Sequence, residues 1–169
     1  MPTDWAALYE SMYSDLVRFL YRKVWDAQRA EDLAQETFVR ALRHDPEKPR
    51  AWVFTVASNL ARDEARTAMR QRRHLTLIRA EMEADPPASP APSEHVEQEE
   101  RSATVRLALT ALSERDREVL LLWDSGLSYA EIAEQTGLSA GAIGTTLSRA
   151  RNRLVTAYKE QEQRHVASD

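Results

Sequence analysis

The stretch Ser128–Leu154, SYAEIAEQTGLSAGAIGTTLSRARNRL, decides the fold. It reads as two helices joined by a tight turn. Ser128 is placed to cap the first, and Glu131 three residues on completes a capping box. Spacing turns Ile132 and Ala133 inward, and Ala133 is small enough to let a second helix cross closely. Gly137 supplies the residue that takes positive φ at a helix C-terminus. Leu138 fills the corner, and Ser139 is a ready N-cap for the next helix. Along that helix Ile143, Leu147, Ala150 and Leu154 keep to one side, with Arg149, Arg151 and Arg153 around the rest. Between Ser139 and Lys159 there are four basic residues and no acid. This is the pattern of a helix-turn-helix whose second helix suits a DNA major groove. A helical hairpin with a basic solvated face would share the periodicity. The Gly-Leu-Ser turn, the small residue in the first helix and the acid-free second helix together favour DNA binding.

Composition bounds the rest. At 169 residues the chain holds one or two small domains, each with a modest core. No apolar run approaches 18 residues and no charged-then-apolar leader opens the chain, so a cytoplasmic protein without membrane span or signal peptide is expected. Zero cysteines exclude disulfides, thiolate metal sites and a cysteine nucleophile. His44, His74, His95 and His165 lie far apart without ligand-like spacing and are expected at the surface. Net charge is −4, unusual for a DNA binder, but its distribution is informative. Residues 1–83 carry 14 basic and 13 acidic side chains, residues 84–100 none and 5, and residues 101–169 nine of each. Such a chain binds naked DNA weakly, because phosphate neutralisation supplies most non-specific affinity.

Upstream the periodicity is helical throughout. Leu8, Met12, Tyr13, Leu16, Val17, Leu20 and Val24 form one stripe; Ala30, Leu33, Ala34, Phe38, Ala41 and Leu42 form the next. Pro46 and Pro49 break the chain between them and a third helix from about Arg50 to Arg73. Its stripe is Trp52, Val53, Val56, Ala57, Leu60 and Ala61. No strand-period segment appears, so an all-α fold is expected. The second helix carries Glu31, Asp32, Gln35 and Glu36 on its outer face, by default a solvated acidic run. Arg62, Arg66, Arg70, Arg72 and Arg73 gather toward the end of the third, where the macrodipole favours cations. Ala84–Ser93, with four prolines in ten residues, reads as an extended linker, followed by Glu94, Glu97, Glu99 and Glu100. A second helical domain opens with Val105, Leu107, Ala108, Leu109, Ala111 and Leu112. Ser113 with Asp116 caps the next helix, in which Val119, Leu120, Leu122 and Trp123 are core candidates and which Gly126 ends. Residues after Lys159 are polar and expected to fray.

Three segments carry a family resemblance: RAEDLAQETFVRAL (29–42), AWVFTVASNLARDEAR (51–66) and LSERDREVLLLWDSGLSYAEIAEQTGLSAGAIGTTLSRARNRL (112–154). In their order and spacing across a Pro-rich linker, they resemble the sigma-70 family of RNA polymerase sigma factors, specifically the two-domain extracytoplasmic-function (ECF) group. The resemblance implies a domain over 1–83 for polymerase binding and −10 melting, an acidic linker over 84–100, and a −35-reading domain over 101–169. The linker would run toward the polymerase active-site channel. Asp32, Gln35, Glu36, Phe38 and Leu42 would dock on the β′ clamp helices, with Phe38 the aromatic centre of the contact. Asn59 would stand beside a flipped base, walled by the loop His44–Arg50, and Arg62, Asp63, Arg66 and Arg70 would complete the −10 contact. Ser139, Gly144, Thr145, Thr146, Ser148, Arg149 and Arg151 would face the −35 element. The chain departs from the family at Gly144, usually basic, and at Ser148, often larger. Gly144 removes a donor and loosens the helix by up to ~1 kcal/mol relative to alanine.

Core RNA polymerase (β′ clamp and β flap) and promoter DNA are the implied partners, with an anti-sigma factor as a further candidate and a stress signal as the expected trigger. No cofactor, metal or small-molecule substrate is implied. An autonomous helix-turn-helix regulator is the alternative; it would need a dimer face or ligand pocket in residues 1–83, where acids and arginines stand instead. A protein that sequesters polymerase without reading promoters is a second alternative. An enzyme is disfavoured, since the sequence has no Gly-rich phosphate loop, metal cluster or nucleophile–base pair.

Overall fold

The computed structural model describes residues 1–81 and 96–168, all helix and connecting turn with no strand among them. The chain divides into two compact units, Met1–Ala91 and Pro92–Asp169. The expected linker at 84–93 and the residues Glu94 and His95 lie outside the described residues.

The first unit is built from α1 (Trp5–Val24), α2 (Ala27–Ala41) and α3 (Pro49–Glu81). Local chemistry starts each one. The Asp4 carboxylate accepts the Ala7 N–H and the Asp26 carboxylate accepts the Arg29 N–H, both at 3.0 Å. Pro49 occupies the first position of α3, where its missing N–H costs nothing. Trp25 ends α1 in the left-handed region at φ 56°, an uncommon place for a large residue. Its ring lies edge-on to Tyr21 with centroids 5.5 Å apart, so packing holds the conformation. Only Trp25 and Asp26 separate α1 from α2, a link that makes neighbouring helices pack closely.

Phe19 and Phe54 form the centre of this core, T-shaped with centroids 5.1 Å apart. Met12, Leu16 and Leu20 of α1, Leu33 of α2 and Val53 of α3 surround them. Ala30, Ala34 and Ala41 on α2, with Ala57 and Ala61 on α3, bring the backbones together. Phe54 falls outside the stripe read from the sequence, while Trp52 and Val56 are only half-buried. Trp52 instead meets Trp5 at 6.0 Å and His44 at 5.0 Å between ring centroids. The third helix runs eight residues past the expected Arg73, because nothing in His74–Glu81 breaks a helix. Leu75 and Leu77 on that extension are exposed.

The second unit contains α4 (Val96–Thr110), α5 (Glu114–Asp124), α6 (Tyr129–Thr136) and α7 (Ala140–Ser168). Glu97, Glu99 and Glu100 therefore fall within α4. The long α7 packs against α4, α5 and α6 in turn. Its inner stripe of Ile143, Leu147, Ala150 and Ala157 meets Leu109, Leu112, Val119, Leu122, Leu127 and Ile132 in one buried set. The expected fraying after Lys159 does not occur: α7 stays helical to Ser168, with Tyr158 half-buried alongside. Trp123 is a correction too, since it leaves the expected core and stands partly exposed.

Candidate nucleic-acid and protein interfaces

The helix-turn-helix forms through the caps read from its sequence. Ser128 Oγ accepts the Glu131 N–H at 3.2 Å, and Ser139 Oγ accepts the Ala142 N–H at 3.3 Å. Gly137 takes φ 75° and its N–H reaches the Ala133 carbonyl, closing α6 in a left-handed cap. Gly126 (φ 90°) makes the preceding turn from α5. These local closures set α7 across α5 and α6 with its outer face free.

On that face Ser139, Thr145, Ser148, Arg149 and Arg151 are exposed as expected. Thr146 is not. It is 5% exposed, because it falls on the buried stripe between Ile143 and Ala150, and it cannot present a hydroxyl to DNA. Gly144 is half-buried beside the exposed Tyr129 ring: a Cβ there would meet Tyr129 Cε2 at 3.6 Å, ordinary van der Waals contact. Glycine is therefore not demanded by crowding at this position.

The two arginines are held. Arg149 donates Nη2–H to Asp116 Oδ1 at 2.8 Å and Nε–H to Asp116 Oδ2 at 3.2 Å. Asp116, at 3% exposure, is buried in the first turn of α5, where the helix dipole also favours an anion. The Arg149 guanidinium beside it holds the Asp116 carboxyl below the usual carboxylate range, against the opposing effect of burial. Arg151 lies 3.9 Å above the Trp123 ring centroid, a close cation–π contact. Asp116 and Trp123 are functional candidates that sequence reading missed. The seven-residue spacing that puts them on one face of α5 was visible; their partners 28 to 33 residues away were not.

In the first unit Asn59, Arg62, Asp63, Arg66 and Arg70 are all exposed, at spacings that share one face of α3. No described residue pairs with Arg62, Arg66 or Arg70. The loop before α3 is pinned: Trp5 Nε1–H donates to the His44 carbonyl at 3.1 Å and the Thr3 N–H to Asp45 Oδ1 at 2.9 Å. Two hydrogen bonds from Thr3, first from its hydroxyl and then from its N–H, lower the Asp45 pKa. Arg29 of α2 grips Glu64 of α3 through Nε at 2.7 Å and through Nη2, fastening the two helices beside this face.

On α2, Asp32, Gln35, Glu36 and Leu42 are exposed. Gln28 and Arg29 engage Asp32 at 3.0 and 3.6 Å, and Arg40 engages Glu36 at 2.7 Å, so the acids are partly matched within their own helix. Phe38 requires correction. At 7% exposure it is a core residue, with Tyr9 edge-on at 5.0 Å and Tyr13 at 6.4 Å covering it. The apolar surface on this face comes from Leu42 (68% exposed) and from Val39 (61%), which sequence reading passed over.

Comparison with known proteins places the chain in a family. Sigma-70 region 2 matches residues 8–71 and sigma-70 region 4 matches residues 102–154. The RNA polymerase sigma factor YlaC of Bacillus subtilis is 30% identical over 164 residues, covering 92% of this chain and 94% of that protein. The chain belongs to the sigma-70 family. Within it the ECF group is indicated: the ECF RNA polymerase sigma factor SigL of Mycobacterium tuberculosis is 34% identical over 152 residues, covering 83% of this chain and 81% of SigL. Among solved structures, the sigma factor RpoE bound to the anti-sigma factor NepR, from Bartonella quintana, matches with a TM-score of 0.60 and 26% identity. The match covers 92% of this chain and 97% of that one. CnrH in complex with the cytosolic domain of CnrY matches at 0.66 and 25%, covering 92% and 88%. Sigma factors are initiation factors rather than enzymes, and the all-helical fold is the one these relatives share.

Proposed function

We propose that the chain binds core RNA polymerase and directs it to specific promoters, with residues 1–83 gripping the polymerase and melting the −10 element and residues 101–169 reading the −35 element. The observation that carries this is the division of labour between units. The region 2 match falls on the unit with the exposed Asn59–Arg70 face, and the region 4 match falls on the unit with the helix-turn-helix. Arg62, Arg66 and Arg70 suit backbone phosphates, which position a protein without reading sequence. The Asn59 amide offers a donor and an acceptor to a base edge, and an unstacked base exposes that edge for a few kcal/mol. Asp63, on the same face, accepts and does not donate, so it suits an amino or ring N–H of a base rather than a phosphate.

On α2 the docking face for the β′ clamp is Asp32, Gln35, Glu36 and Leu42, with Val39 in the role first given to Phe38. On α7 the reading face is Thr145, Ser148, Arg149 and Arg151, with Ser139 at the helix N-terminus and Gly144 beside Tyr129. Residues 84–95 connect the two and lend Asp85 and Glu94 to the basic channel of the polymerase, since Glu97, Glu99 and Glu100 belong to α4. No helix among the described residues is long and apolar enough to cross a membrane, and the place of action is the cytoplasm, where the polymerase is. RpoE and CnrH are held by NepR and by the cytosolic domain of CnrY, and an anti-sigma factor is a candidate partner here as well. Weak affinity for naked DNA, expected of a net charge of −4, suits a subunit that engages promoters only within the holoenzyme.

The test is transcription in vitro from genomic fragments with core polymerase, mapping 5′ ends by sequencing. Discrete starts that require both components, preceded by a shared pair of boxes, are expected. A chain that footprints a palindromic operator alone and tightly would instead be an autonomous regulator.

A further inference from the structure

We infer that Asp116 is a positioning residue for DNA reading: it clamps one edge of the Arg149 guanidinium so that the opposite edge faces DNA as a fixed two-donor reader of a guanine. The inference rests on the proposed role of the second unit in −35 recognition and adds to it a residue outside the recognition helix.

The geometry is specific. A guanidinium carries five N–H donors in one plane. Asp116 takes the pair on the side edge, Nε and Nη2, at 3.2 and 2.8 Å. The end edge, formed by Nη1 and the second hydrogen of Nη2, keeps two parallel donors. Two parallel donors are what the O6 and N7 acceptors of guanine require in the major groove. The Arg149 side chain remains 56% exposed, so that edge is not covered within the unit.

The clamp itself is anchored. Asp116 is buried on the first turn of α5, and its own N–H is tied to Ser113 Oγ at 3.1 Å. The carboxylate therefore sits on a helix with little freedom, and the arginine conforms to it. Neutralising a phosphate needs no fixed plane, because a point charge such as lysine meets it too, although a guanidinium fork also fits phosphate. Fixing the plane is worthwhile where the contact is directional. A fork already ordered before binding loses less side-chain entropy on contact.

Two readings compete: a plain strut between α5 and α7, and a phosphate contact. The experiment uses holoenzyme on a promoter and on variants carrying each single base-pair change through the upstream box. Wild type, Asp116→Asn, Arg149→Lys, Arg149→Ala and the Asp116→Asn/Arg149→Lys double variant are compared for affinity over a range of salt, with melting temperature measured alongside. The lysine variant keeps a cation for Asp116 and so preserves the fold, yet it has no planar fork.

Positioning predicts that Asp116→Asn and Arg149→Lys each lose about tenfold in discrimination at one and the same G·C pair, that the double variant loses no more, and that the salt dependence of Asp116→Asn is unchanged. A uniform loss over all sequences, with the salt slope smaller by about one in Arg149→Ala, would make Arg149 a phosphate contact and overturn the inference. A lower melting temperature with base preference intact would make the pair a strut, and overturn it equally. If wild-type holoenzyme shows no dependence on the upstream box, the reading of this unit as a −35 reader fails, and this inference with it. Dependence in wild type that Asp116→Asn leaves unaltered removes only the positioning role.

Discussion

On α3, Arg62, Arg66 and Arg70 extend from an exposed face with no described partner; on α7, Arg149 is gripped by a buried carboxylate and Arg151 lies on an indole. Both helices bear arginine, and composition does not distinguish them. Their surroundings do. Mobile guanidinium groups follow a flexible, charged strand and act mainly through counterion release, whereas restrained ones favour a rigid duplex edge with fixed donor and acceptor directions. The contrast is what the proposed roles require, in which one unit would open DNA and the other would read DNA that stays paired.

The comparison supposes that each unit displays its surface on a core of its own, and the severest test addresses that. Phe38→Ala is expected to cost about 3–5 kcal/mol, as for other buried phenylalanines. The loss should be confined to the first unit, with amide exchange in the second unchanged. Leu42→Ala should instead leave stability within about 0.5 kcal/mol and weaken the complex with core polymerase. If Phe38→Ala lowered polymerase affinity without changing denaturant unfolding, its assignment to the core would be wrong.

Next in size is the loss of the exposed arginines of α3. Replacing Arg62, Arg66 and Arg70 together by alanine should reduce the slope of log affinity against log salt by about two units on melted promoter DNA, with base preference in the upstream box unchanged. A change in base preference at any one position would show that these arginines read sequence, and the contrast between α3 and α7 would fail.

A smaller effect separates the held pair by pH. The folded-state pKa of Asp116 is depressed, first by its hydrogen bonds to Arg149. Its stabilising contribution is therefore complete above the unfolded carboxylate value of about 3.9 and disappears as pH falls through the lower folded value. Unfolding of the wild type and Asp116→Asn should differ by a constant amount above about pH 5, and the gap should narrow below about pH 4. A gap independent of pH down to acid unfolding would mean that the neutral side chain serves as well.

The smallest change concerns Gly144. Since an added Cβ meets only the Tyr129 ring at an ordinary distance, Gly144→Ala should stabilise α7 by up to ~1 kcal/mol, seen as a modest rise in melting temperature. Promoter affinity should be nearly unaltered. A fall in stability would show that Tyr129 is less yielding than its exposure suggests.

Much of this was legible from local chemistry. Ser113, Ser128 and Ser139 cap the helices they precede, and Gly137 ends α6 with positive φ, because each acts on backbone groups within three or four residues. The shared exposed face of Asn59, Arg62, Asp63, Arg66 and Arg70 on α3 was legible too, since these five keep helical spacing and carry nothing the core could use. Thr146 and Phe38 were misplaced for one reason. The family resemblance put each on a contact face against its own spacing, since Thr146 stands three after Ile143 and four before Ala150, and Phe38 four after Ala34 and three before Ala41, all of them buried. Trp123 went the other way, a large ring left partly exposed with the Arg151 guanidinium over it.

By itself the amino-acid order determined that the chain is helical, where most helices begin, and that the turn at Gly137 sets a basic helix after a short one. Those outcomes depend on hydrogen bonds and side-chain periods spanning a few residues. Only the tertiary structure decided that Asp116 meets Arg149 across 33 positions and that Phe38 lies beneath Tyr9 and Tyr13. Such pairings depend on which faces helices present to one another, and that is settled by the packing of the whole core.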